Sequence, residues 1–418
     1  MRSETSTYTA LKESFKELKE VFRGNVGVMA ISWFLFSLTG SLINPFFPKY
    51  AKDLGASDYD IATMRSLGTL ALALSVLPGG IITDLFGRVK IILIGTGLIT
   101  LAQFLYALAP DWKTLTIVYI LDNAAHFYQP ALTAIVMDSL GKGREFKGFL
   151  ALNIVTALPG LFMPIIGGIL YDVIGTSGIR YGFLAQGMVS LVVLILRVRS
   201  LRETFKPRDR ELSRIILELA GYRGVLTKAI KLYIFTSILW QIALGVVNTY
   251  MALYVIEELE LSKPTWGLIS GVSTLSTIIS SLYLLGRQLN IEKAIIGSSI
   301  VVSTCIMLYS LPSHIENKLL ILVIILLVAS LSNIASNIMG AGLSALQTRI
   351  LPVELRGRAV GIQRVLDNLG ASISAQIAGL LYTYLGPSDS FIVSGLMGLA
   401  STFYLYVIVF SSRRVRGK

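Results

Sequence analysis

The sequence is poor in charge, in histidine and in cysteine. Only 15% of its 418 residues are Asp, Glu, Lys or Arg, whereas roughly a quarter is usual in soluble domains. Mean hydropathy is +0.69, and apolar runs of about 20 residues, long enough to cross a bilayer, recur along the chain. This composition predicts a multi-pass integral membrane protein and argues against a soluble enzyme with buried core helices.

The residues that usually build catalytic and metal sites are also scarce. Cys305 is the only cysteine, so no disulfide can form within one chain, and His126 and His314 are the only histidines. The sequence contains no HExxH or CxxC pair and no GxxxxGK[ST] phosphate loop. We therefore expect no metal, no cofactor and no enzymatic activity.

Twelve apolar segments predict an all-α fold of twelve transmembrane helices. Their expected bounds are 25–48, 59–83, 89–109, 114–137, 147–171, 181–200, 229–255, 264–285, 293–312, 319–345, 357–385 and 389–411. If both termini are cytoplasmic, the inner segments hold 29 of the 37 Lys and Arg residues and the outer loops hold 6. The net charge of +12 is then the positive-inside signal of membrane insertion and predicts no nucleic-acid partner.

The chain divides into five predicted segments. They are a cytoplasmic amphipathic helix (1–24), a six-helix bundle (25–200), a basic cytoplasmic linker (201–228), a second six-helix bundle (229–411) and a basic tail (412–418). The first apolar stretch is full length and follows charged residues, so no cleavable signal peptide is expected.

The two halves resemble each other in sequence. Lys147-Gly148 after the fourth helix matches Arg356-Gly357 after the tenth at a spacing of 209 residues. GGILYDVIG (167–175) similarly echoes AGLLYTYLG (378–386). Such a repeat predicts two pseudo-symmetric bundles, an arrangement that lets alternating-access transporters place one site between two moving halves.

The polar turn GGIITDLFGRVK (79–90) separates the second and third helices. Gly80, Asp84, Gly87, Arg88 and Lys90 follow the GxxxDxxGRxK pattern of the same turn in the major facilitator superfamily, which the chain resembles over its whole length. The resemblance implies that family's fold and its activity as a secondary transporter.

This turn is expected to act as a conformational latch. Glycines permit close approach, and Asp84 has Arg88 one helical turn away as a cationic partner. The resemblance also implies that Asp84 faces the N-terminus of helix 11, near 355–358. A basic turn that serves only membrane insertion is the alternative. A second copy, at Gly286-Arg287, has lost the acid.

Helix 5 contains a second family pattern. Four residues of GLFMPIIGG resemble the GxxxGPxxGG element of proton-driven drug exporters: Gly160, Pro164, Gly167 and Gly168. Met163 replaces one glycine. Small residues here predict close packing against Gly267 and Gly271 of helix 8. LRET (201–204) also resembles the family but carries no evident chemistry.

Charged residues within predicted spans are the candidate coupling sites, because charge is costly in a bilayer. Asp122 and His126 lie one turn apart on helix 4, where many family members have an arginine in place of Asp122. The pair is expected to gain and lose a proton as cavity hydration alternates. Direct contact with the solute and a static buried pair are the alternatives.

Three further charges lie in helices 2 and 11. Arg364 and Asp367 are three residues apart, which favours a local ion pair. Arg65 offers a second hypothesis, because the resemblance places helices 2 and 11 side by side. Arg65 would then meet Asp367 in one conformation and release it in the other.

The remaining cavity candidates are polar or aromatic rather than charged. They are Trp33, Tyr128, Gln129, Trp240, Gln241, Asn248, Asn333 and Asn337. Such a lining suits a small, partly apolar solute better than a dianion.

The predicted function is a secondary active transporter that resembles the drug:proton antiporter branch. It is expected to be a monomer in the plasma membrane of a prokaryote. Its expected partners are a small solute, protons and lipid. The alternatives are a proton symporter that imports a sugar or organic anion and, more remotely, a membrane receptor or scaffold.

Overall fold

The computed structural model describes residues 22–140, 145–205, 228–284, 290–350 and 356–407. Within these ranges the chain is helical and contains no strand. Four predicted features lie outside the described residues, wholly or for most of their length: the N-terminal amphipathic helix, the basic linker, the Gly286-Arg287 turn and the C-terminal tail.

Helical segments occupy all twelve predicted positions. They are α1 (Gly24–Ile43 and Phe47–Asp53), α2 (Asp58–Phe86), α3 (Arg88–Leu108), α4 (Trp112–Ala125 and Gln129–Ser139), α5 (Glu145–Ala157 and Met163–Ile174), α6 (Thr176–Ser200), α7 (Lys228–Leu253), α8 (Lys263–Leu284), α9 (Ile291–Leu308), α10 (Lys318–Ile350), α11 (Arg356–Leu385) and α12 (Pro387–Tyr404). Within the described ranges, ten are long and apolar enough to cross a membrane. For α4 and α11, spanning stays a prediction.

Three helices are interrupted by short 3₁₀ turns. The breaks are Asn44–Phe46 in α1, His126–Tyr128 in α4 and Leu158–Leu161 in α5. Pro45 and Pro159 lie within the first and third breaks, and Pro130 lies two residues after the second. Because proline has no N–H to donate and its ring crowds the preceding turn, it disrupts the helical hydrogen-bond ladder at these points.

The helices form two bundles, α1–α6 and α7–α12. In the first, α6 packs on α1 and α3, and α2 packs on α4; in the second, α7 contacts α11 and α12, and α9 contacts α10 and α12. Between the bundles, α2 runs along α11 and α5 along α8. We call the two ends of the molecule the α1–α2 end and the α2–α3 end, after the turns that they carry.

The predicted packing of α5 against α8 is present. A Cβ atom added to Gly271 would lie 2.5 Å from the Leu161 carbonyl oxygen, and one added to Gly267 would overlap the Pro164 carbonyl. The small residues therefore allow the two backbones to touch.

Polar contacts join the bundles at the α1–α2 end. The Glu257 carboxylate, just beyond α7, pairs with Lys49 at 3.0 Å and Lys52 at 2.7 Å, both on α1. Three more inter-bundle contacts lie at this end: Lys263 to Asp172 (3.0 Å), the Tyr250 hydroxyl to the Asp58 carbonyl (2.7 Å) and Trp266 Nε1 to the Pro45 carbonyl (2.7 Å). These contacts hold the two bundles together at the α1–α2 end.

Candidate functional site: a central cavity between the bundles

A cavity of about 980 Å³ lies between the two bundles. Five of the eight polar and aromatic residues predicted from the sequence line it: Trp33, Tyr128, Gln129, Asn248 and Asn333. Arg65, Asp122 and His126 line it as well. The structure thus brings residues from both bundles to one site.

The breaks in α1 and α4 lie in the cavity wall. Asn44 and Pro45 from the first, and His126 and Tyr128 from the second, are all lining residues. A helix break leaves backbone N–H and C=O groups without their regular helical hydrogen bonds. Such irregular backbone is tolerated within a membrane where it lines a cavity. The local chemistry of proline therefore shapes this part of the site.

Asp122 presents its carboxylate beside the cavity with few protein partners. The Tyr106 hydroxyl on α3 donates a hydrogen bond of 3.2 Å to Asp122 Oδ2. Asp122 Oδ1 is buried and has no hydrogen-bond partner among the described residues. A carboxylate with an unused acceptor oxygen can take up a proton or a donor group from a solute.

His126 interacts with Asp122 through the backbone and not through the carboxylate. Its Nδ1 lies 2.7 Å from the Asp122 carbonyl oxygen, which the 3₁₀ break leaves available because the His126 N–H bonds instead to the carbonyls of Asn123 and Ala124. This contact assigns the ring proton to Nδ1, so Nε2 is the atom that can accept another proton. Although Asp122 and His126 lie one turn apart, their side chains form no hydrogen bond or ion pair with each other in the described chain.

The charges on α2 and α11 do not form the predicted pairs. Asp367 accepts a 2.6 Å hydrogen bond from the Ser237 hydroxyl on α7, and within the described chain no ion pair joins it to Arg364 or Arg65. The two helices are antiparallel, with Ser66 hydrogen-bonded to Ser372 at 2.9 Å. Asp367 therefore lies about two helical turns from the level of Arg65, too far along the axis for contact in this conformation.

Three predicted cavity residues lie elsewhere. Trp240 is 3% exposed and belongs to a hydrophobic core cluster to which both bundles contribute. Gln241 accepts a hydrogen bond at its backbone carbonyl from Ser374 on α11. The Asn337 side chain turns to α8, where it donates to Ser280 and Ser281 at 2.8 Å each. The sequence identified the helices correctly, and each of these residues lies on the same helix face as a lining residue: Trp240 with Val247, Gln241 with Asn248 and Asn337 with Asn333. Each lies one or two turns nearer the α2–α3 end than its lining counterpart, so its level along the helix keeps it out of the cavity wall.

Neutral amides and aromatic rings form much of the wall that sequence reasoning missed. The amides are Asn44, Gln103, Asn123 and Gln186, and the rings include Phe36, Phe47, Tyr106, Tyr119, Phe183 and Trp266. A glutamine within an otherwise apolar helix, such as Gln103 or Gln186, was the available signal. The aromatic rings gave none, since packing residues look the same in sequence.

A model of the Major Facilitator Superfamily matches residues 29–344, most of the chain. The chain belongs to the Major Facilitator Superfamily. Its members are transporters, so this multi-pass membrane protein belongs to a family that moves small solutes.

Relatives and solved structures agree with this assignment. The multi-drug resistance efflux pump PmrA of Streptococcus pneumoniae is 28% identical over 236 residues, covering 54% of this chain and 58% of the pump. An uncharacterized transporter of this superfamily from Methanocaldococcus jannaschii is 22% identical over 388 residues, covering 92% and 97%. The crystal structure of a POT family transporter in complex with 5-aminolevulinic acid has the same fold, with a TM-score of 0.75, 15% identity and coverage of 93% and 96%.

The superfamily turn between α2 and α3 is anchored within its own bundle. Gly87 adopts a positive φ of 89°, which the absence of a Cβ permits. Arg88 forms an ion pair with Asp138 at the end of α4 and donates 3.0 Å to the Ala134 carbonyl. Asp84 is exposed, and 351–355, part of the region that it is predicted to face, lies outside the described residues.

LRET has a structural role that its sequence did not reveal. The Glu203 carboxylate accepts a 2.9 Å hydrogen bond from the Val89 backbone N–H, and the Thr204 hydroxyl accepts one of 3.1 Å from Arg88. The Arg88 guanidinium also lies 5.4 Å from the Phe205 ring centroid. The segment after α6 therefore fixes the α2–α3 turn to the rest of the first bundle.

Proposed function

We propose that this transporter exports small, partly apolar solutes by alternating access in exchange for protons, and that Asp122 carries the proton. The observation that supports this most directly is the Asp122 carboxylate in the cavity wall. One of its oxygens bonds the Tyr106 hydroxyl, and the other has no partner among the described residues. Proton binding there would compete with solute binding in the same cavity.

The proposed coupling uses this competition. Protonation neutralises Asp122 when the cavity opens to the α1–α2 end, and the solute leaves. When the cavity opens to the α2–α3 end, the proton leaves and solute binds again. His126, with Nε2 free of its contact to the backbone, can hold a second proton or relay one. Proton and solute then move in opposite directions through one site.

Cavity chemistry supports the proposed class of solute. Aromatic side chains such as Trp33 and Tyr119 provide apolar faces, and amides such as Gln103 and Asn333 provide hydrogen-bonding groups. Sites that combine a mainly apolar wall with few polar groups fit drug-like molecules. The efflux activity named for PmrA and the α5 element with Gly160 and Pro164 support export.

We further propose that the α2–α3 end and both termini are cytoplasmic, in the plasma membrane of a prokaryote, and that the chain acts as a monomer. The excess of Lys and Arg on that side supports the orientation. With the bundles joined at the α1–α2 end, the conformation described here would be the one that loads solute from the cytoplasm.

Import by proton symport is the second candidate. Arg65 lies in the cavity and has no ion-pair partner among the described residues, so it is available to a carboxylate. Amides such as Asn44, Gln186 and Asn248 suit the hydroxyl groups of a sugar. These groups would serve a polar solute as well as a partly apolar one.

Transport by purified protein in liposomes distinguishes the candidates. Ethidium, an aromatic cation, serves as the test solute for antiport, and a labelled sugar or organic acid serves for symport. An acidic lumen should accumulate ethidium if the protein is an antiporter, whereas a symporter accumulates its solute in an alkaline lumen. Accumulation of a sugar or organic acid in the alkaline lumen, with no movement of ethidium, would replace the export proposal.

Asp122→Asn tests the proton carrier. The variant should reduce pH-driven accumulation to the level of empty liposomes, while exchange of solute across the membrane without a gradient continues. Glu316→Gln, which removes an exposed acid on the α9–α10 turn, is the matched control and should transport normally. Driven accumulation that survives Asp122→Asn would show that another group carries the proton.

A further inference from the structure

Arg197 is a buried cation that the proposed transport cycle does not use. It lies near the end of α6 and is 1% exposed. Its Nη1 donates 2.6 Å to the Thr96 hydroxyl oxygen on α3, and its Nε donates 3.3 Å to the Ser32 hydroxyl oxygen on α1. The guanidinium also lies 5.6 Å from the Phe36 ring centroid. The side chain thus reaches about two helical turns inward from the α2–α3 end.

The groups around Arg197 accept its hydrogen bonds through hydroxyl oxygens but carry no negative charge that would neutralise it. The Thr96 and Ser32 hydroxyls donate their own protons to the carbonyls of Ile92 (2.6 Å) and Val28 (2.7 Å), so their oxygens serve as acceptors. No carboxylate pairs with Arg197 among the described residues. Burying a charge without a counter-charge is costly in general, so a buried arginine without an acidic partner points to a role beyond packing.

Tyr128 separates Arg197 from the proposed coupling pair. It is 5% exposed, contributes to the cavity wall and interacts with the Arg197 guanidinium. Its ring lies 6.1 Å from the His126 ring, centroid to centroid, at an interplanar angle of 30°. His126 in turn contacts the Asp122 backbone. A fixed positive charge therefore lies one aromatic side chain away from His126, through Tyr128.

We propose that Arg197 is a positioning residue for proton coupling: its permanent charge, held beside Tyr128, opposes protonation of Asp122 and sets the pH at which this carboxylate takes up a proton. This inference rests on the proposed function. It gives the buried arginine a role without direct contact to the solute. Release of the proton is favoured by a charge that cannot itself be lost, since guanidinium stays protonated at any physiological pH.

Other groups near Asp122 do not replace this charge. Tyr106 faces it from α3, and Tyr119 and His126 lie on its own helix. Arg65 on α2 is the other cation, and it lines the open cavity, where water screens its charge. Arg197 is enclosed by protein, where water screens a charge less than it does in an open cavity.

The pH titration of the Asp122 carboxyl group tests this inference without any solute. Infrared difference spectra of the purified full-length protein follow the C=O stretch of protonated carboxyl groups, and the band lost in Asp122→Asn is assigned to Asp122. Arg197→Gln should move the midpoint of this band upward by about one pH unit, the order of effect expected for one unit charge acting across an effective dielectric of about 20. Arg197→Lys should restore the wild-type midpoint.

Ser32→Asp provides a second variant in case Arg197→Gln does not fold. It places a carboxylate beside the Arg197 guanidinium, cancels its charge in place and should move the midpoint in the same direction. Ser32→Asn has the same shape without the charge and should leave the midpoint unchanged. A midpoint that stays fixed in both Arg197→Gln and Ser32→Asp, or the absence of an Asp122 band, would overturn the inference.

The transport assay keeps this result separate from the proposed function. If Asp122→Asn retains pH-driven transport, the proposed coupling mechanism is wrong, and the infrared midpoints still decide whether Arg197 controls the carboxyl group. If Asp122→Asn abolishes driven transport while the midpoints do not respond to Arg197, only the role of Arg197 is overturned.

Discussion

Charged side chains in the first bundle occupy three different environments. Asp122 is bonded by a single tyrosine, Arg65 faces the open cavity, and Arg197 is enclosed by hydroxyl groups and an aromatic ring. These environments suit proton exchange, contact with a solute, and a constant electrostatic field, respectively. In the proposed mechanism, this distribution of charges would let one cavity respond to both a proton and a solute.

Asp111 shows how a single exposed acid fixes the start of a functional helix. It precedes α4 and accepts a 2.8 Å hydrogen bond from the Thr114 backbone N–H. This hydrogen bond holds the pKa of Asp111 below its usual value. The cap sets the first turn of the helix that carries Asp122 and His126.

Asp111→Ala should lower the melting temperature at neutral pH. Because its pKa is lower in the folded state, the acid stabilises the fold above its unfolded-state pKa of about 3.9. That contribution disappears as pH falls through the lower folded-state value, so wild type and variant should converge below about pH 4. Thermal unfolding followed by intrinsic fluorescence measures this. Asp111→Asn keeps an acceptor oxygen, so its melting temperature should fall less than that of Asp111→Ala. Equal decreases in melting temperature for the two variants would contradict a capping role.

At the scale of elements, contact between α5 and α8 depends on the absence of side chains. Gly267 and Gly271 place the α8 backbone against the carbonyls of Pro164 and Leu161. Gly168 on α5 lies equally close to the Lys263 carbonyl. Close backbone approach of this kind is how helices associate where no water drives them together.

Gly271→Leu should separate α5 from α8. The added side chain would overlap the Leu161 carbonyl, and overpacking of this kind costs about 1–3 kcal/mol. We expect a lower melting temperature and slower transport. Gly297→Leu on α9 is the matched control, because a Cβ there meets nothing within 4 Å. Similar decreases in melting temperature and transport rate for both variants would mean that the close contact at Gly271 has no specific role.

At the scale of the whole molecule, ionic and hydrogen-bonded contacts hold the two bundles together at the α1–α2 end. Glu257 is central to them, because it pairs with two lysines of the opposite bundle at once. Lys318 and Glu260 form a pair of 2.9 Å within the second bundle only. The Glu257 pairs cross between the bundles and oppose opening of this end, whereas the Lys318–Glu260 pair lies within one bundle and does not.

Glu257→Gln should increase the fraction of molecules open at the α1–α2 end. Loss of about 1 kcal/mol of ion-pair energy changes the ratio of open to closed molecules about fivefold. Spin labels report the separation when placed at Lys113, exposed in the first turn of α4, and at Glu316, exposed on the α9–α10 turn. Both positions lie at this end, and Cys305 is buried and does not interfere. Glu260→Gln should leave the distance distribution unchanged, and an equal shift there would argue against a specific role for Glu257.

Much of the fold and part of the site could be predicted from local sequence. Apolar length gave the helix positions within a few residues, and the glycines of α5 and α8 indicated their contact. Trp33 and Asn333 line the cavity as predicted, but Trp240 and Asn337 do not. They share helix faces with the lining residues Val247 and Asn333, and the depth at which the cavity ends depends on neighbouring helices that the local sequence does not specify. By sequence, Arg197 resembles the basic residues of the linker that follows, because it lies in the last turn of α6.

The sequence alone determined the fold class, the family and the helices that bear charge, since bilayer length and the cost of buried charge act on each segment separately. Only the tertiary structure decided which charges share a site. Tyr106 reaches Asp122 from α3, and Arg197 reaches Thr96 and Ser32 from α6. These contacts join residues far apart in the chain, and no local pattern encodes them; they follow from how twelve helices pack and turn against one another.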